Sequence, residues 1–128
     1  MSYYKDLREY IHALEEKGKL IRIKGEINKD TELHPLVRLQ FRGLPEEERK
    51  AFVFENVVDS RGRRYEGKKV AVSVLGASRE IYAIGMMCPT EEIGNRWTEA
   101  QLHPIEPRMV ADGPVHHEVH VGETLLEH

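Results

Sequence analysis

Apolar and polar positions recur along this chain with two periods, and the switches between them divide it into elements. Leu7, Tyr10, Ile11 and Leu14 fall at i, i+3, i+4 and i+7, one helix face, while Arg8, Glu9, Glu15, Glu16 and Lys17 cover the rest. Gly18 follows, where a left-handed closing turn costs glycine little. Over 19–27 the period drops to two: Ile21, Ile23 and Ile27 alternate with Arg22, Lys24 and Glu26, which predicts a half-buried strand. Asn28-Lys29-Asp30-Thr31 predicts a turn and an N-cap for a second helix over 32–42. Pro35 is acceptable in its first turn, and Gly43 and Pro45 end it.

The second half reads in the same way. The mostly apolar run 51–58 predicts a central strand, and Asp59-Ser60-Arg61-Gly62 a turn. A second buried-type strand is expected over 69–75. Gly76-Ala77-Ser78 then turns the chain, with Ser78 capping a short helix over 79–87. Pro89 breaks that helix, and Thr90-Glu91-Glu92 restarts one that carries Trp97 and stops before Pro104. Residues 103–112 read as an irregular connector, and 115–121 alternates again as a strand. Helices and strands intermix throughout. The expected class is α/β, with α+β as the alternative: a two-layer mixed sheet with flanking helices.

Composition narrows the function. The 128 residues suffice for one domain with a core and are too few for two. A formal net charge of -3 argues against general nucleic-acid binding, which needs a basic face. The longest apolar run, Val70-Ala71-Val72-Ser73-Val74-Leu75, is far too short to span a bilayer. The polar start is unlike a secretory leader, and the single cysteine, Cys88, allows no disulfide framework. A soluble protein of the reducing cytoplasm is expected. Leu126-Glu127-His128 reads as the join to an appended histidine tag. That leaves 1–125 as one domain, and the natural protein is expected to continue beyond it.

Several groups could carry chemistry. In Gly113-Pro114-Val115-His116-His117-Glu118-Val119-His120-Val121, a strand would place His116, Glu118 and His120 on one face. Two histidines with a carboxylate on one strand face can ligate zinc, with a fourth ligand from His12, His34 or His103. The plainer reading is a polar strand face. The turn Gly76-Ala77-Ser78 before a helix could hold a phosphate, but it lacks the remaining glycines and the lysine of a phosphate loop, so a capped turn is expected. Arg61, Arg63, Arg64, Lys68 and Lys69 could draw an anionic partner, or simply form a solvated hairpin tip. Nothing marks Cys88 as activated, and a core contact is expected.

Taken together and in order, several segments resemble the UbiD family of decarboxylases. They are Asp6-Leu7-Arg8-Glu9-Tyr10, Gly18-Lys19-Leu20-Ile21-Arg22-Ile23, Phe52-Val53-Phe54-Glu55-Asn56-Val57, Leu75-Gly76-Ala77-Ser78-Arg79-Glu80 and Pro114-Val115 with Glu118-Val119. The resemblance implies the N-terminal scaffolding domain of a homo-oligomeric carboxy-lyase for aromatic acids. Such an enzyme uses prenylated FMN with manganese and potassium, and carries a flavin-binding domain and a C-terminal domain as this lobe's partners. It implies no catalytic, cofactor or metal ligand within this chain, and reads the histidine-rich segment as the lead-in to the flavin domain. The stretches 42–50 and 59–69 resemble the branch acting on phenolic acids. A stand-alone metal-binding module or a protein-interaction domain is the alternative.

Overall fold

The computed structural model describes residues 3–109. The first helix, α1 (Leu7–Glu16), starts at Asp6, whose Oδ1 accepts from the Glu9 N–H at 3.0 Å. Of its predicted stripe, Tyr10 and Leu14 are buried and Ile11 half-buried, while Leu7, in the first turn, is 54% exposed. It closes at Gly18, whose φ of 69° lets the Lys19 N–H reach back to the Leu14 carbonyl at 2.8 Å.

The predicted strand over 19–27 is two strands, β1 (Leu20–Ile23) and β2 (Ile27–Asn28). Gly25 sits in the gap, where a residue without a side chain weakens a strand. The run 51–58 divides likewise into β3 (Ala51–Phe54) and β4 (Val57–Val58). β1 lies parallel to β3, Leu20 beside Ala51, and β2 lies parallel to β4, Ile27 beside Val57. β5 (Val70–Val72) runs antiparallel along the far edge of β3, so β3 is central, as expected. β5 ends three residues short of the predicted strand end, because Ser73 turns left-handed at φ 60°.

Between these pairs lies α2 (Leu33–Gly43). Its turn forms as expected, but residues 28–31 supply no cap: Glu32 holds the N-cap position without a side-chain cap bond. The Asn28 Oδ1 instead accepts from the Asp30 and Thr31 N–H groups at 2.8 and 3.2 Å, so the asparagine is consumed in building the turn. Glu46–Glu48 form an exposed 3-10 turn. α3 (Arg79–Met86) is capped by Ser78, whose Oγ accepts from the Ile81 N–H at 3.1 Å. A second 3-10 turn, Thr90–Glu92, leads into α4 (Ile93–Leu102), and 103–109 carries no regular element.

The class is mixed α/β with helices flanking the sheet, and the helices cover both of its faces. Alternation along β3 explains why. Ala51 points into a core with Leu14, Tyr10, Ile81 and Ile84 from α1 and α3. Phe52 and Phe54 point the other way, into a core with Leu33 and Val37 of α2 and with Ile27 and Val57. All four β3 residues are buried, which a strand covered on both faces requires.

Candidate functional site

The metal candidates do not assemble among the described residues. His116, Glu118 and His120, with their predicted strand, lie outside them. Of the three histidines offered as a fourth ligand, His12 pairs with Glu16 on α1 at 3.2 Å and His103 approaches Glu99 at 3.9 Å, while His34 stands apart on α2. No three His, Cys, Asp or Glu side chains gather as a metal site among the described residues.

The turn before α3 has its own anion. Ser78 caps the helix, and the Arg79 N–H donates to Glu46 Oε1 at 2.7 Å, so a carboxylate of the protein takes the position a phosphate would occupy. The hairpin cations are partly neutralised as well. Arg64 is held by Glu26 and Asn56, and Lys69 lies 3.7 Å from Glu55. The backbone folds around Asp59, whose Oδ1 accepts from the Arg63 and Arg61 N–H groups at 2.8 and 3.0 Å. These bonds, the one from Arg63 first, hold the Asp59 carboxyl below its ordinary range. In the groove between α1 and the sheet, Arg22 is bound to Glu15 at 2.6 Å and to Glu55 at 3.1 Å, which leaves it no vacant fork for a ligand. Cys88 is half-buried beside Tyr4 and Met87 in a shallow groove and belongs to neither core.

One polar arrangement within the fold was not visible in the sequence. The Tyr10 hydroxyl faces the carbonyls of Val74 and Ile81, residues 64 and 71 positions away, and Tyr4 donates to the Ile84 carbonyl at 2.9 Å. No local pattern can signal pairs so distant. Gly85 makes room for the arrangement: a Cβ there would lie 3.1 Å from the Tyr10 oxygen and 2.9 Å from Leu75 Cδ2. Burial first, then the neighbouring Tyr4, pushes the Tyr10 pKa up to about 12. The folded value exceeds the ordinary 10.0, so its contribution to stability is complete below pH 10 and is lost as the pH rises towards 12. Alkaline unfolding followed by absorbance at 295 nm should therefore show the last tyrosine ionising towards pH 12, together with loss of helical circular dichroism. In Tyr10→Phe that late ionisation should disappear.

One surface with large apolar side chains in water comprises α4 and the segment 103–109 after it. None of the ten residues of α4 is buried. Trp97 is 47% exposed, and its Nε1 donates to the Tyr82 hydroxyl of α3 at 2.7 Å. Leu102, Ile105 and Met109 are 67, 68 and 87% exposed. A groove of about 520 Å³ runs beside them between α3 and α4, where Gly85, Met86, Ala100 and Ile105 share the walls with Arg96, Glu99 and His103.

A sheet covered on both faces, charged groups paired with one another and an outer helix with no buried residue define a mixed α/β lobe. Residues 11–101 match the family described as the 3-octaprenyl-4-hydroxybenzoate carboxy-lyase N-terminal domain, and the chain belongs to that family. Among solved structures it is similar to the vanillic acid decarboxylase of Sedimentibacter hydroxybenzoicus in its open form, at 24% identity and a TM-score of 0.55. The same enzyme in open form with a truncated second chain matches equally well. Both matches cover 85% of this chain and 22% of the solved one, so the chain spans about a fifth of the length of those relatives. No helix among the described residues is long and apolar enough to cross a membrane.

Proposed function

We propose that this chain is the N-terminal scaffolding domain of a UbiD-type carboxy-lyase that reversibly decarboxylates aromatic acids, phenolic ones in particular, in the cytoplasm. The observation that carries this reading is the family match over 11–101 by a chain that covers about a fifth of the decarboxylases that share its fold. The lobe packs beside a flavin-binding domain and helps to position it within a homo-oligomer. Prenylated FMN, manganese and potassium belong to the parent enzyme, and the flavin supplies the electron sink for loss of carbon dioxide. The described residues do not fit the metal, since no donor set converges, and no step of the reaction is assigned to them. The substrate class rests on the phenolic-acid resemblance of 42–50 and 59–69.

The test compares the complete polypeptide from the encoding gene with the 128-residue chain. Loaded with prenylated FMN and manganese, the complete polypeptide should release carbon dioxide from hydroxybenzoic acids. The 128-residue chain should release none, and titration with FMN should show no stoichiometric binding. Tight binding of one equivalent of flavin to the short chain would contradict the assignment.

A further inference from the structure

We infer that the outer face of α4, with Leu102, Ile105 and the groove along Gly85, Met86 and Ala100, is the surface on which the remainder of the same polypeptide docks. The inference rests on the proposed function, because it takes the lobe to be part of a larger chain, and it names the face that does the joining.

Three observations carry it. The first is energetic. A ten-residue helix is marginal in water by itself, and helices in proteins draw most of their stability from a buried apolar face. α4 has no buried residue, whereas α1, α2 and α3 each have at least two. Its hold on the lobe includes the Trp97–Tyr82 hydrogen bond, the Arg96 guanidinium 5.9 Å from the centre of the Tyr3 ring, and partial cover of Ile93. The second observation is continuity. Leu102, Ile105 and Met109 extend the apolar surface along the backbone leaving α4, so the path of the chain and the exposed surface coincide. The third is length. The solved decarboxylase chains of this fold hold about four-fifths of their residues outside the matched part, ample material to cover one helix face.

A rival face exists on α2 and its C-cap, where Leu36, Leu39, Phe41 and Leu44 are 38, 64, 39 and 41% exposed. That helix already buries Leu33, Val37 and Gln40 against the sheet and needs no second body to stay folded. The backbone leaving the lobe also runs from α4, not from α2.

Hydrogen exchange by mass spectrometry on the complete polypeptide and on the 128-residue chain tests the inference. The amides of 94–102 should exchange at least about ten-fold more slowly in the complete polypeptide, while those of α2 keep the same rate in both. Leu102→Glu with Ile105→Glu should abolish that protection in the complete polypeptide and leave the melting temperature of the 128-residue chain unchanged, since both side chains are exposed there. Equal exchange of α4 in the two proteins, or protection that appears on α2 instead, overturns the inference. So does a dimer of the 128-residue chain, seen by sedimentation equilibrium, that the double substitution dissociates. An active carboxy-lyase with α4 unprotected refutes the docking face alone. A complete polypeptide with α4 protected but no carboxy-lyase activity refutes the proposed function alone.

Discussion

Phe54→Ala is expected to lower the unfolding free energy by about 3–5 kcal/mol, roughly 10–20 °C in melting temperature. Phe54 is wholly buried, its ring stacks on Phe52 with centroids 5.8 Å apart, and both rings pack with Leu33, Val37 and Val57. Truncation removes the transfer free energy of the ring and leaves a cavity that the paired strands cannot close, because β3 is fixed on both edges by β1 and β5. A small domain has only about 5–15 kcal/mol in hand, so the loss is a large share of the whole. Urea unfolding followed by far-UV circular dichroism measures it. A change below about 1 kcal/mol would mean that the α2 side of the sheet is not a true core.

Leu14→Ala probes the opposite face and should cost about 2–5 kcal/mol. Leu14 is fully buried and meets Tyr10, Ala51, Ile81 and Ile84. The informative part is the shape of the transition. β3 lends Ala51 to one core and Phe54 to the other, so loss of either core should unfold the other with it. Transitions followed by far-UV circular dichroism and by tyrosine absorbance should coincide in both variants. Separate transitions would show that α1 and α3 melt away from a surviving α2–sheet half.

Much of this architecture was legible in the chain because its signals are local. The Tyr10 and Leu14 part of the first stripe, the left-handed Gly18 and the Ser78 cap each depend on residues within a few positions of one another, and each lies where the sequence places it, whereas Leu7 at the head of the stripe is exposed. The breaks in the strands were less legible. Ser73 takes a left-handed conformation that serine seldom adopts, and in sequence it sits inside an unbroken apolar run. The apparent cap in 28–31 failed because Asn28 uses its side chain to build the turn, a choice between two local bonds that the residue type leaves open. The Tyr10 hydroxyl and the Glu46 carboxylate at α3 could not be read at all, since their partners come from distant parts of the chain. The histidine cluster, the most conspicuous feature of the sequence, lies outside the described residues.

The parallel pairing of Leu20 with Ala51 has a consequence for synthesis on the ribosome. Ala51-Phe52-Val53-Phe54 emerges with β1 already waiting on one edge, but its other edge and the helix that closes one face arrive only with Val70–Val72 and Arg79–Met86. In that interval a wholly apolar strand stands half-clothed, and the nascent chain is at its most prone to stick to others of its kind.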